Sequence, residues 1–153
     1  MNRHPERQSL IINPTLKPLE FLIGEWRLVA SHPAFPTAVT GEVTVEWMDG
    51  GAFVMVRTNF EQPGPPSSKQ VIGRDDSSGT FRVLYYDERG VSRVYKLSVG
   101  EGVWKMWRNA PGFSQRFTAT LSEDGNSMAA MWEKSSDGKK WENDLELEYI
   151  RIR

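Results

Sequence analysis

Few side chains in this sequence are of a type that does chemistry, and His32 is the first of them. The chain has two histidines, His4 and His32, and no cysteine, which excludes thiolate catalysis and cysteine-based metal sites. A histidine can act near neutral pH as a general base or as a titratable contact to a ligand. The alternative is a loop-edge histidine that hydrogen-bonds backbone. The sequence leaves both interpretations of His32 open.

A second candidate is the pair formed by Arg93 and Tyr95, which lie two residues apart. On a β-strand both side chains point to the same face, and a guanidinium and a phenol there can donate to one carboxylate. Arg57 is the other arginine that we expect to orient the polar end of a ligand. The alternative for each arginine is an outward side chain whose apolar stem lies along the surface.

Motifs typical of catalytic or metal centres do not occur in the sequence. It has neither an H-x-x-x-H pair nor a G-x-S-x-G turn, the signatures of zinc sites and of serine hydrolases. The alternating acidic residues Asp144, Glu146 and Glu148 are expected to form a solvated strand face. We therefore assign no catalytic residue, and an enzyme on this fold would use His32 as its base.

The elements that must position these residues are short strands with period-two alternation. Ten strands are predicted, over residues 25–32, 40–48, 52–60, 69–74, 80–87, 91–98, 102–108, 113–121, 127–134 and 143–152. Glycine-containing turns such as "MDGG" and "DERG" join most of them, which favours antiparallel pairing of sequential strands. Closing this up-and-down meander into a ten-stranded barrel removes its edges. Two packed sheets are the alternative architecture.

The segment before the first strand is predicted to cap one end of the barrel. Residues 1–15 are polar and are expected to be a flexible tail, so the barrel domain covers residues 16–153. The stretch "LKPLEFLIG" suits one or two helical turns, with Gly24 at the turn into the first strand and Trp26 as an apolar lid. The last strand changes the parity of its apolar residues at Ile150 and Ile152, which predicts either a β-bulge or the closing end of the strand there.

Aromatic side chains dominate the predicted interior. The chain has six tryptophans, seven phenylalanines and four tyrosines, which either line a cavity or fill the barrel completely. Alternation places the following candidates for ligand contact on inward faces or at the end of the barrel: Trp26, His32, Trp47, Met55, Arg57, Arg93, Tyr95, Trp104, Phe117 and Tyr149. Polar groups among apolar ones are typical of a pocket that orients an amphipathic molecule.

The stretch "LEFLIGEWRL" before a ten-strand meander resembles the calycin barrels: lipocalins, fatty-acid-binding proteins and nitrobindin-like proteins. The segment "WEKSSDGKKWENDLELEYIRIR" is similar to bacterial lipocalin-like proteins of the DUF1579 type. The resemblance implies a cavity for a small hydrophobic or amphipathic molecule. Nitrobindin-like proteins hold haem through a histidine on a closing strand, where this chain has "LELEYIRIR". We therefore expect no haem and no other cofactor, although Tyr149 is a residue type that can ligate ferric iron.

Charge and composition narrow the classes of partner. The formal net charge is -1 and the charged residues are interspersed, which predicts no nucleic-acid partner. No stretch reaches the ~20 apolar residues of a membrane span, and the absence of cysteine is compatible with the cytoplasm. The expected function is a cytoplasmic, non-enzymatic small-molecule binder. The alternatives are an isomerase- or hydrolase-like enzyme, and a filled barrel that acts as a homodimeric interaction module.

Overall fold

A computed structural model describes residues 11–153 as ten antiparallel strands that close into one barrel. The strands are β1 (Gly24–Ser31), β2 (Val39–Met48), β3 (Phe53–Phe60), β4 (Ser68–Arg74), β5 (Phe81–Asp87), β6 (Ser92–Gly100), β7 (Val103–Arg108), β8 (Ser114–Leu121), β9 (Ser127–Ser135) and β10 (Glu142–Arg151). Every bound lies within two residues of its predicted position. The predicted fold class is confirmed.

The order of the strands around the barrel follows the order of the chain. Each strand pairs with its neighbours in sequence, and β1 pairs with β10 to complete the ring, with Trp26 opposite Arg151. The alternative of two packed sheets is therefore excluded. One end of the barrel carries the β2–β3, β4–β5, β6–β7 and β8–β9 connections, and the other carries the loops that follow β1, β3, β5, β7 and β9.

A 3₁₀ helix over Pro14–Leu22 covers the first of these ends and packs against β3, β4 and β6. A 3₁₀ helix has three residues per turn, so side chains three apart lie in one row. Leu16, Leu19 and Leu22 form such a row, and all three are fully buried. The predicted helical cap is thus present. Within the described residues, no helix has the length and apolar character that crossing a membrane requires.

The predicted flexible tail lies mostly outside the described residues, which begin at Ile11. The part that is described is attached to the barrel. The backbone N–H groups of Ile11 and Asn13 donate to the carbonyl oxygens of Gly50 and Gly51 at 3.0 and 2.8 Å. These bonds join the start of the 3₁₀ helix to the β2–β3 connection at the closed end.

Trp26 and Arg151 complete the closed end. The indole Nε1 of Trp26 donates to the carbonyl oxygen of Leu22 at 2.9 Å, and the ring is fully buried. The Arg151 guanidinium lies 4.1 Å from the centre of that ring. Gly24 has φ +140°, and a Cβ there would lie 2.3 Å from the carbonyl oxygen of Arg153. The Gly-x-Trp segment is therefore an architectural feature, because glycine permits both this φ and this close approach.

Candidate functional site

The open end of the barrel contains a pocket of about 320 Å³. This volume is at the small end of the range for ligand pockets, about 300–1,000 Å³. About half of the residues that line the pocket are apolar, namely Leu28, Ala34, Phe35, Phe60, Pro65, Pro66, Phe113, Trp132, Leu145 and Leu147. The barrel is therefore filled at the helix-covered end and hollow at the other.

An aromatic layer separates the pocket from the closed end. Trp104 and Phe117 pack edge to face with their ring centroids 4.8 Å apart, and the centroids of Phe117 and Trp132 are 4.9 Å apart. Trp104 also lies 6.0 Å from Tyr149, which stands 6.3 Å from Trp26. Edge-to-face and tilted contacts at these separations are favourable for aromatic rings. Both Tyr149 and Trp132 line the pocket, so they form its floor.

Arg93, Tyr95 and Gln115 form a polar group on one wall of the pocket. The Tyr95 hydroxyl donates to Oε1 of Gln115 at 2.6 Å, and Nη1 of Arg93 donates to the same oxygen at 3.4 Å. The Arg93 guanidinium also lies 5.3 Å from the centre of the Phe113 ring. Burial raises the pKa of Tyr95, so its phenol stays protonated and remains a donor. Within residues 11–153 the Arg93 guanidinium forms no ion pair with a carboxylate.

Asp87, the last residue of β5, binds two residues that line the pocket. Its side chain is fully buried, accepts a 2.6 Å bond from Nη2 of Arg89, and accepts a 2.8 Å bond from the Tyr85 hydroxyl. The hydrogen bonds from the Arg89 side chain lower the pKa of Asp87 to about 2. Burial and the bond to Asp87 raise the pKa of Tyr85. Arg89 and Tyr85 line the pocket but are already paired with this carboxylate.

His32 lies at the mouth, as the sequence predicts, but both of its ring nitrogens are engaged. Nδ1 accepts a hydrogen bond from the backbone N–H of Ala34 at 2.9 Å, and Nε2 lies 3.4 Å from Oδ1 of Asp144. Because Nδ1 is an acceptor, the ring proton of neutral His32 is on Nε2, facing the carboxylate. This arrangement leaves the imidazole no free lone pair for proton abstraction. His32 is positioned to hold the loop after β1 against β10.

Asp144 faces the mouth because of a bulge in β10. The β9–β10 register shifts between Asn143 and Leu145, which leaves Asp144 as the extra residue. A bulge redirects a side chain out of the regular alternation, so Asp144 lines the pocket and does not lie on the solvated face predicted for it. The bulge predicted as one alternative for the end of the strand is absent from the register, and Ile150 and Ile152 lie exposed.

Two polar groups facing this pocket lack partners within residues 11–153. Oε1 of Gln70, a residue that is 8% exposed, is buried and accepts no hydrogen bond. Tyr149 is 7% exposed, and burial alone raises its pKa, with no hydrogen bond contributing. Buried polar groups are hydrogen-bonded in the great majority of proteins. The Nε1 of Trp104 is also unpartnered, but that residue lies below the floor.

The structure brings four of the ten predicted site residues together in the pocket: His32, Arg93, Tyr95 and Tyr149. Four others, Trp26, Trp47, Trp104 and Phe117, belong to or pack against the hydrophobic core and do not line the pocket. The aromatic residues that alternation turns inward thus divide between the filled and the hollow ends.

The structure corrects the inward orientation expected for Met55 and Arg57. Val54 and Val56 on the same strand are buried, at 0% and 2% exposure, so Met55 and Arg57 must face outward. Nη1 of Arg57 bonds a carboxylate on the neighbouring strand, Oε2 of Glu46, at 2.7 Å. Apolar residues on both faces of β3 made its parity ambiguous from sequence.

Sequence reasoning missed Gln70, Gln115, Asp144 and Trp132 as pocket residues. A signal existed for Gln115 and Trp132, since each shares an inward parity with apolar neighbours on its strand. Gln70 shares a face with Ile72 on β4 in the same way. For Gln70 and Gln115, a polar side chain at an inward-facing position of a strand was therefore the signal that could have identified them as pocket residues. Asp144 had no such marker, because its orientation depends on the bulge.

Metal binding has no support in this geometry. Within residues 11–153, no group of three or more histidine, aspartate or glutamate side chains is arranged to hold a metal ion. Tyr149, the residue considered as a ligand for ferric iron, packs between Trp26 and Trp104 at the floor of the pocket.

Comparisons with known proteins identify related folds. No family model matches the chain, and no curated protein sequence matches it. The solved structure of Rv2717c from M. tuberculosis aligns with a TM-score of 0.62 and 16% identity, over 94% of this chain and all of that one. A DUF3598-family protein of unknown function from Nostoc punctiforme PCC 73102 aligns with a TM-score of 0.59 and 12% identity. The alignment covers 95% of this chain and 51% of that one. At these identities the similarity shows the barrel fold alone.

Proposed function

We propose that this protein is a calycin-type barrel that binds a small amphipathic molecule in the pocket at its open end. The observation that carries the proposal is the division of the barrel interior. One half is packed with Leu, Trp and Phe side chains, and the other contains a pocket of about 320 Å³ lined by apolar and polar side chains in about equal number. Concave sites in which apolar and aromatic walls meet convergent polar groups are the usual form of a small-molecule site, and the mixed lining favours an amphipathic ligand.

Arg93 supports an anionic group as the polar end of the ligand. Its guanidinium lines the pocket and contacts Gln115 and the Phe113 ring but, within residues 11–153, no carboxylate, whereas Arg89 is bound to Asp87. A guanidinium offers five donors in a planar fork that matches a carboxylate. Placing the carboxylate at Arg93 leaves the apolar body of the ligand against the floor formed by Trp132 and Tyr149.

Calorimetric titration with decanoate and with decanol tests this proposal. We expect both compounds to bind, and decanoate to bind more tightly because it can pair with Arg93. Arg93→Gln should weaken decanoate binding about 10- to 100-fold, the effect of losing a charged hydrogen bond of about 1.5–3 kcal/mol, and should leave decanol binding unchanged. Arg27→Gln is the matched control, because Arg27 lies exposed on the outer face of β1.

The location of binding in the pocket and the position of the ligand's anionic end at Arg93 are tested by different variants. Loss of decanol binding in Leu147→Trp, which fills the pocket, would locate binding in the pocket independently of charge. If neither decanoate nor decanol bound the protein, ligand binding of this class would be excluded. If decanoate bound but Arg93→Gln had no more effect than Arg27→Gln, the anionic end would lie elsewhere.

A further inference from the structure

We infer that the ligand carries a second polar group, a hydroxyl, that reaches the inner part of the pocket and bonds Tyr149 or Gln70. This inference rests on the proposed function and specifies its substrate class: a hydroxylated amphipathic carboxylate rather than a plain alkanoate. Two polar groups that face the pocket have no hydrogen-bond partner within residues 11–153, and their chemistry determines which partners they can take.

The Tyr149 hydroxyl is the first of these groups. Tyr149 is on β10, opposite Leu28 of β1 and Met128 of β9, and it lines the pocket floor. No hydrogen bond to its hydroxyl is formed by any residue from 11 to 153, whereas the Tyr85 and Tyr95 hydroxyls each bind a side chain. Of the three tyrosines that line the pocket, Tyr149 alone among the described residues keeps its donor free.

The Gln70 carboxamide is the second group. Gln70 lies on β4 directly across from Tyr85, which lies directly across from Arg93. The three side chains therefore form one row across the inner wall, with strands spaced about 4.8 Å apart. Arg93 is at one end of this row, the middle phenol is bonded to Asp87, and the unpartnered oxygen of Gln70 is at the other end.

A hydroxyl satisfies these groups better than other substituents. It both donates and accepts, so it can accept from the Tyr149 phenol or donate to the amide oxygen of Gln70. A methylene brought to the same place would leave the buried polar atoms unpaired, which costs about 1–3 kcal/mol each. A site built in this way discriminates strongly against analogues that lack the polar group. Decanoate is therefore expected to bind less tightly than a suitably placed hydroxydecanoate.

The test compares decanoate with positional isomers of hydroxydecanoate and with the corresponding oxodecanoates, by calorimetric titration. We expect at least one hydroxy isomer to bind about tenfold more tightly than decanoate. Tyr149→Phe, Gln70→Met or the double variant should abolish that gain, and decanoate should bind these variants more tightly than it binds the parent protein, because it no longer leaves their polar atoms unpaired. Tyr86→Phe and Lys69→Met are the matched controls, since both residues are exposed on the outer face of the same wall.

Each result decides a different point. Equal affinities for decanoate and every hydroxy isomer would overturn this inference while leaving the proposed function in place. So would a gain that survives the double variant. An oxo isomer that binds as tightly as its hydroxy counterpart would show that the inner groups require only an acceptor, and would also overturn it. If no compound of the series bound, the proposed function would fail and the inference with it.

Discussion

Arg151 connects three separate parts of the closed end, and its removal is the sharpest test of the architecture. Nη2 donates to the carbonyl oxygen of Phe21 at 2.7 Å, Nη1 to that of Ile23 at 3.1 Å, and Nε to that of Gly125 at 3.2 Å. The same guanidinium stacks on Trp26. Arg151→Met keeps the apolar stem and removes all four interactions.

The expected loss of stability follows from these contacts. A hydrogen bond to a charged group contributes about 1.5–3 kcal/mol, and a cation–π contact at least about 0.5 kcal/mol. Because Arg151 is only half-buried, water compensates part of each loss. The lower ends of these ranges sum to about 5 kcal/mol. After compensation by water we expect a total of about 3–4 kcal/mol, a large share of the about 5–15 kcal/mol that stabilises a typical domain.

Urea unfolding followed by tryptophan fluorescence measures this loss. In a thermal scan of the same variant, the melting temperature should fall by about 10 °C, because 1 kcal/mol corresponds to about 2–4 °C in a domain of this size. Arg27→Met is the control, since Arg27 is an exposed arginine on β1, and its effect should stay within about 0.5 kcal/mol. An Arg151→Met variant as stable as Arg27→Met would refute the assignment of Arg151 as the connection between β10 and the helical cap.

Three further changes are predicted from single features of the structure. Gly24→Ala should destabilise the protein by about 2 kcal/mol or more in urea, because it combines a strained positive φ with a Cβ placed against the Arg153 carbonyl; a neutral effect would contradict this close approach. Leu19→Ala should cost about 2–5 kcal/mol, since Leu19 is a fully buried residue of the helical cap, and a loss below about 1 kcal/mol would show that the cap is loosely packed. Asp87 has its pKa lowered to about 2 from the ordinary 3.8, so it stabilises the fold above pH ~4 by about 2 kcal/mol, and this is lost as the pH falls through 2. Asp87→Asn should therefore lose less stability than the parent protein between pH 5 and pH ~2, and equal losses would contradict the role of its bond to Arg89.

The strands and their order could be predicted from the sequence because the signals are local. Alternation and glycine turns lie within a few residues of each strand, and short connections force sequential strands to pair. The orientation of β3 could not be predicted, because Met55 and Val56 belong to opposite faces and both are apolar. The correct face follows only from Val54 and Val56 packing into the barrel.

The pocket could be predicted only in part, because four of the ten candidate residues line it and six do not. Arg93 and Tyr95 were identified by their spacing on one strand. Their partner, Gln115, is 20 residues from Tyr95 and is brought to it by the barrel, so no local pattern marks the contact. Asp144 reaches His32 through a bulge that shifts the register of β10, and such a shift depends on how two distant strands fit together.

The pairing of β1 with β10, which closes the barrel, is the last strand pairing that can form as the chain folds. Its partners, such as Trp26 and Arg151, are among the most widely separated in sequence of any strand pair in the molecule. Every other pair can form as soon as its hairpin exists, but this one requires the last strand. Until then β1 and β9 present open edges, which are sites for pairing with another chain. Topologies with such long-range pairings fold slowly, so the nascent protein is most exposed to aggregation in the interval before its final strand docks.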